Sequence, residues 1–425
     1  MTLFVTGSTA EAPSAATAKL LGLRRRWWPI AFVAWVAACE SEAPRDAAVT
    51  TTDSAGVAIT TIHERIDAVP RWSVDTNARV TLASPDSTGF VFVSAAHWLA
   101  DDRILVADAR QRRLQLYDVS GRHLRTMGKD GNGPGEFRGM MTVSVLGDTI
   151  GVWDLSARRF SLLTVDSGFR RLVPTPQKPS EYDTPREIWI TSGARPLTYW
   201  LSAASPGPLP MGTRIRKWQF TGQLVRSDTT ARTLASSPTF NGVYSGQVER
   251  GDARQLFSNL PFIAPAADRV AYGSGETFEV RVADRDLVTR RIVRWSLADE
   301  PLREREVAAA RERLFASMPA GAPRAKIEEA VNDIVAPELL PKVRPAISRA
   351  LWDDTGRLWL GRFDAPTRGL AESYDWVVLD TAMRPIGRVR LPEVARLESI
   401  RGDDLLLSVR DSLDVQTVQV WRVGR

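Results

Sequence analysis

What the chain has little of narrows it first. Among 425 residues there is one cysteine, Cys39, and there are three histidines, His63, His97 and His123. A single thiol excludes an intramolecular disulfide framework and any multi-cysteine zinc site, and three scattered imidazoles leave little for a histidine-rich metal centre. No apolar run approaches the roughly 20 residues that a spanning helix needs. The P-loop and dinucleotide fingerprints are missing, as is the G-x-S-x-G elbow of a serine hydrolase. Gly131-Asn-Gly-Pro-Gly135 is glycine-rich but lies between two expected strands, and Pro134 stands where an EF-hand loop requires an oxygen ligand.

What is present points elsewhere. Hydrophobic residues make up 44% and charged residues 25%, enough for a large core, and 29 glycines with 26 prolines exclude a collagen-like or low-complexity chain. The formal charge of +6 is concentrated at the amino end. Residues 1–38 hold Lys19, Arg24, Arg25 and Arg26 against Glu11, so half of the excess leaves with them if that segment is removed. The remainder is too weakly basic to argue for nucleic acid.

That segment reads as an address. Three arginines precede the apolar run from Trp27 to Ala38, which Glu40 and Glu42 cut short. Val36-Ala37-Ala38-Cys39 resembles the lipobox of bacterial lipoproteins. The resemblance implies cleavage before Cys39 and acylation of its thiol, each buried methylene of the lipid contributing about 0.8 kcal/mol to anchoring. Glu40, rather than aspartate, follows the cysteine, which in that family implies the outer membrane. Residues 1–38 are thus expected to be the signal peptide and residues 39–56 a flexible polar tether. Residues 57–425 are expected to form one domain.

Within that domain, short runs rich in Val, Ile, Leu, Trp and Tyr end in Asp/Gly turns, which is a strand pattern. Asp102–Asp108, Arg113–Asp118 and Leu124–Met127 are repeated 46 residues later as Asp148–Asp154, Arg159–Leu163 and Arg171–Val173. Fainter copies follow at 268–282, 356–380 and 403–421. A period of 40–50 residues with about four strands per unit is that of a propeller blade, because a four-stranded sheet covers both its faces only by packing against like sheets. The fold class expected is all-β: a β-propeller of six four-stranded blades, near 90–128, 140–173, 185–228, 258–296, 345–391 and 393–425. The last unit is short of strands, and residues 79–83 are expected to supply its outer strand and close the ring. Residues 299–340 carry a helical period, with Asp299 as cap, and Val307, Ala310, Leu314 and Met318 on one face. They are expected to form a helical insertion between two late blades. Residues 203–212 read as an exposed proline-rich loop.

The stretch Gly128-Lys-Asp-Gly-Asn-Gly-Pro-Gly-Glu-Phe137 resembles the interblade loop of NHL-repeat propellers. The resemblance gives Gly128, Gly131, Gly133 and Gly135 a structural role in tight turns, and makes Phe137 a plug between blades. Gly89 and Phe90 end a degenerate copy.

Candidate chemistry is sparse. His97 near Asp101 and Asp102 could join a nucleophilic triad, though a histidine beside a turn more often serves as a structural hydrogen-bonding group. Asp108, Asp154 and Asp364 end strands. They could be ligands of an axial Ca²⁺ or Zn²⁺, as in propeller lactonases, but their repeated position fits turn capping better. Trp153, Trp189, Trp352, Trp359 and Trp376 read as interblade packing rather than a stacking platform. Arg303–Glu306 and Arg311–Arg313 read as a solvated helix face held by i,i+4 pairs. With no catalytic constellation visible, the expectation is a lipid-anchored, extracytoplasmic binding or scaffold module for a protein, peptide or glycan, attached to the membrane through its lipid, without cofactor or nucleic acid. The alternative is a propeller enzyme of lactonase or sugar-dehydrogenase type with an axial metal.

Overall fold

The strand pattern folds into six sheets arranged as blades in the computed structural model. It describes residues 48–425 except 87–88, 176–184, 205–214, 249–256, 258–260, 297–299, 318–322, 338–339, 364–372, 412 and 414. Each blade is an antiparallel meander running from an inner to an outer strand. Blade one is Val93–Trp98, Ile104–Asp108, Arg113–Tyr117 and His123–Met127; blade two is Met140–Leu146, Thr149–Asp154, Arg159–Thr164 and Gly168–Val173. Blade three comprises Pro185–Thr191, Arg195–Ala204 and Ile215–Ser227, with an outer strand broken into Thr233–Ser236 and Phe240–Val248. Blade four is Phe262–Pro265, Arg269–Gly273, Glu279–Asp284 and Thr289–Trp295, and blade five is Ile347–Trp352, Leu358–Arg362, Asp375–Leu379 and Pro385–Arg390.

Blade six takes Ala395–Arg401, Asp404–Arg410 and Gln416–Gly424 from the carboxyl end, and Ser73–Leu82 from the other end of the chain. Val418 faces Leu82 and Val420 faces Val80 in antiparallel register. The two ends of the domain are thereby hydrogen-bonded into one sheet, as expected, and the closing strand is longer than residues 79–83.

The core is divided among the six seams between blades. Between blades one and two, Leu105, Leu114 and Leu116 pack on Val143, Ile150 and Val152, with Phe137 fully buried among them. Leu82, Phe90 and Tyr117 fill the seam between blades six and one. Trp153, Trp359 and Trp376 have no exposed surface, and Trp189 is buried against Tyr272 of blade four. An indole suits such a seam because it brings a large flat apolar area at low conformational cost.

Two expectations are corrected. The segment 39–56 is not tether throughout, because Val49–Ser54 forms a hairpin with Val57–Ile62, which runs parallel to the outer strand of blade four. Val49 and three successive threonines are β-branched, and Ala55 and Gly56 take the positive φ of a tight turn, so a polar edge hairpin forms where composition alone reads as linker. The first helix of the insertion, Glu304–Ser317, also starts later than a cap at Asp299 would place it. Pro301 is bridged to Val343 and Leu302 donates to Lys342, which holds 301–302 extended. The second helix is Arg324–Ile334. Ala310 and Val335 are buried with Phe257 and Phe363, and Val307, Leu314 and Ile334 pack against them. Met318 and the greater part of the 203–212 loop lie outside the described residues.

Candidate functional site

The connections sort by face. Turns between first and second and between third and fourth strands are short: 99–103, 118–122, 147–148, 165–167, 192–194, 228–232, 266–268, 285–288, 353–357, 380–384 and 402–403. The opposite face carries the longer described connections, among them 83–86 with 89–92, 128–139, and the helical insertion Glu304–Ser317 with Arg324–Ile334.

The short-turn face is built on a recurring aspartate device. In Asp118-Val-Ser-Gly-Arg122 one carboxylate oxygen accepts from the amides of Ser120 and Arg122, both at 3.0 Å, and from the Ser120 hydroxyl at 2.6 Å, while the other receives the Arg122 guanidinium at 2.9 Å. Asp228 with Thr230 and Arg232, and Asp353 with Thr355 and Arg357, repeat the pattern. The Ser120 hydroxyl and then the Arg122 guanidinium hold the Asp118 carboxyl down to about 2. These acids are consumed by their own turns.

Asp108 and Asp154 do the same work on the long-loop side. Asp108 is fully buried and accepts from the amides of Val91, Phe92, Arg110 and Gln111; Asp154 accepts from those of Arg138, Gly139 and Ala157. Both fix the loop that leads into an inner strand, and with the amides occupying their oxygens they are capping groups rather than ligands. Asp364 lies outside the described residues, as do Val36, Ala37, Ala38 and Cys39. Among the described residues no three His, Cys, Asp or Glu side chains come together as a metal site.

The glycine loop of 128–137 folds as its composition dictates. Gly128, Gly131 and Gly135 have positive φ of 81°, 150° and 75°, and a Cβ on Gly128 would stand 2.6 Å from the Phe137 ring. Phe137 donates to Lys129 at 2.8 Å, and Glu136 accepts from Gly133 at 2.7 Å and pairs with Lys129 at 3.1 Å. The backbone amides thus serve the loop itself.

The arrangement that residue order hides is a polar ring on the inner strands. His97 of blade one donates through Nε2 to the Val143 carbonyl of blade two at 2.9 Å. Ser144 of blade two accepts from Ile190 of blade three at 3.0 Å. Arg349 of blade five donates to Leu397 of blade six at 2.9 Å, and Arg396 of blade six to Ser94 of blade one at 3.3 Å. Each bond runs from one inner strand to the next. Every inner strand except Phe262–Pro265 also carries a bulge, a device that re-aims side chains locally.

Glu187 breaks this series. It sits on the inner strand of blade three, half-buried, and its carboxylate has no hydrogen-bond partner among the described residues. Burial pushes its pKa up, against the pull of the Arg186 and Arg349 charges. Glu398 is buried and satisfied by Ser408 at 2.7 Å and Arg396 at 3.4 Å. Burial pushes the His97 imidazole below its usual range, against the Val143 carbonyl and the Glu398 charge. His97 does not meet Asp101 or Asp102, which pair with Arg103 and Arg401, so no triad forms there. His63 contacts Thr50, and His123 contacts Thr126 and the Tyr117 ring. Chemically, the ring offers hydrogen-bond donors and acceptors with one uncommitted carboxylate, a setting for holding a polar group.

The helix charges also serve structure. Glu306 accepts from the Arg303 amide at 3.0 Å and pairs with Arg344 at 3.5 Å, and Arg311 donates to Asn332 of the second helix at 2.5 Å. Glu300 pairs with Arg362 of blade five at 3.0 Å. Glu300 and Glu306 thus pin the insertion to blade five and its entry, Arg311 ties the two helices together, and Arg324 and Glu328 form an i,i+4 pair on the second at 3.0 Å.

No described protein family matches the chain, and no curated protein does. Solved structures resemble it at low identity. A member of the DUF4221 family from Bacteroides vulgatus is 11% identical over 83% of this chain and 98% of its own, with a TM-score of 0.46. A protein described as exported, from Bacteroides fragilis, is 12% identical over 86% of this chain and 100% of its own, at 0.44. The PQQ-bound aldose sugar dehydrogenase of Streptomyces coelicolor is 12% identical over 84% and 100%, at 0.40.

Proposed function

We propose that this is a lipid-anchored, extracytoplasmic propeller, held at the outer membrane through Cys39, whose long-loop face binds a protein, peptide or glycan. The observation that supports this reading is the segregation of connections. One face is reduced to short turns, several of them closed by their own aspartates, while the described long connections and both helices stand on the other. Loops on a rigid scaffold are where recognition surfaces are built. The inner-strand ring, with Glu187 lacking a hydrogen-bond partner among the described residues, adds polar groups that a ligand reaching the axis could use.

Replacing Cys39 by alanine is expected to move the protein from the membrane to the soluble fraction, and continued retention would overturn the anchor. Binding is expected to survive charge reversal on the short-turn face (Arg122→Glu with Arg232→Glu) and to be lost on deletion of the helical insertion. The opposite pattern would place recognition on the wrong face.

A further inference from the structure

Half of the large apolar side chains exposed among the described residues gather in one place. Val91, Phe92, Val394, Leu413 and Val415 all lie on long-loop-face connections of blades six and one, while the remaining five are scattered over outer strands and short turns. Leu413 is 82% exposed, Val394 54% and Phe92 44%. Backbone bonds join their loops into one surface. Arg410 donates to the Val394 carbonyl and Asp411 to that of Val415, each at 3.0 Å. Phe90 is bridged to Gln416, and Gly89 packs on the Val415 side chain. Ala109 donates to Phe92 at 3.0 Å, which brings the exposed Arg110 to the edge of the patch, without an ion-pair partner among the described residues.

We infer that this patch rests on a phospholipid bilayer, so that the rim of the long-loop face at blades six and one meets the membrane while the helical insertion between blades four and five stays clear of it. The inference rests on the lipid-anchor reading and goes beyond it to the orientation of the domain. The direction of the first strand carries it. Outer strand Thr289–Trp295 runs from a short turn toward the long-loop face, and Val57–Ile62 is parallel to it. Val49 pairs with Ile62, so the chain enters the fold at the long-loop face. Only residues 40–48 separate Cys39 from that strand, a reach of about 35 Å at full stretch. A domain tied this closely to the bilayer by one face presents that face at high effective concentration, so a few apolar loop tips suffice for contact. Aliphatic and aromatic tips suit the acyl layer, and the charges beside them are mixed, Arg110 against the exposed Glu393 and Asp411. The opposite face, lined with aspartate turns, suits water.

Lipidation consumes the thiol of Cys39, so Leu413→Cys in the lipidated full-length protein would give one free thiol for an environment-sensitive fluorophore, with Val119→Cys as the opposite-face control. In vesicles of phosphatidylethanolamine and phosphatidylglycerol, the label at 413 is expected to shift to the blue and to be quenched by spin-labelled lipid, while that at 119 stays in water. Phe92→Asp is expected to lower the ratio of lipid-contacting to water-exposed label at 413 about tenfold, the loss that follows from removing the burial of about one apolar side chain. Equal water exposure at 413 and 119 in protein that Cys39→Ala does release from membranes would overturn the inference and leave the anchor standing. Retention of Cys39→Ala in membranes would instead overturn the anchor reading. A blue shift at 413 without vesicles would show that a second copy or another protein covers the patch, and would also overturn it.

Discussion

Leu82 is the side chain through which ring closure can be weighed. It has no exposed surface, lies on the strand contributed by the amino end, and faces Val418 on the strand contributed by the carboxyl end. Its neighbours include Phe90, Ile104 and Tyr117 of the seam with blade one. Leu82→Ala removes that contact and leaves a void between two sheets, a change that costs about 2–5 kcal/mol in well-packed cores. The unfolding entropy of globular proteins is about 2.1 cal/mol/K per residue, so for roughly 380 folded residues each kcal/mol corresponds to a little over 1 °C. The expected fall in Tm is therefore about 3–6 °C, measured by differential scanning calorimetry on protein lacking the signal segment. Thr81→Ala, the exposed neighbour, is the control, with an effect within about 0.5 kcal/mol and below 1 °C. Equal small shifts in both variants would mean that the strand Ser73–Leu82 does not close the ring in solution, and the six-blade account would fail with it.

Three other outcomes follow from particular residues. Gly128→Ala should lower Tm by a few degrees, because an L side chain at φ 81° costs about 1–2 kcal/mol and its Cβ would also push on the Phe137 ring. Gly147→Ala, at φ 61° with open space around it, should carry only the backbone part. Glu187→Gln should stabilise the protein at pH 8 and lose that advantage as the pH falls toward about 4. Burial raises this carboxyl's folded pKa, so ionisation above the ordinary carboxylate range subtracts stability that the neutral amide retains. A pH series of Tm in which the gap is constant, or widens in acid, would contradict the position assigned to Glu187. Addition of calcium, or its removal by chelation, should leave Tm within about 1 °C, since a site bound a hundredfold above its dissociation constant would add about 2.7 kcal/mol; a rise of several degrees would favour the metalloenzyme alternative over a binding module.

The propeller was legible in the sequence because its unit is local. Asp102–Met127 and Asp148–Val173 each hold strand, turn and strand within one blade, and the period between them survives wherever the turns keep their aspartates. The shortfall of strands at the carboxyl end was a counting argument that pointed to residues 79–83, and Ser73–Leu82 fills the place. Gly128 and Phe137 were readable for the same reason, since the glycine is required by the ring nine residues on. The inner ring was not readable. His97, Glu187, Arg349 and Arg396 belong to four blades and come to face neighbouring inner strands only when the circle closes, so no spacing in the chain announces them. Val49–Ser54 escaped notice because an exposed polar strand on a sheet edge has no apolar alternation. The patch around Leu413 escaped for the opposite reason, since single apolar residues in loops are ordinary until the fold gathers them.

The claim on which the functional account depends is that the long-loop face is the working face. It is tested most directly by placing a photo-crosslinking residue at Arg305 or Glu312 in the helical insertion, and in parallel at Ser120 or Thr230 in the short turns, of the lipidated protein in its own membrane. Irradiation is expected to give discrete adducts from the insertion and none from the short turns. Adducts confined to positions 120 and 230 would contradict the account.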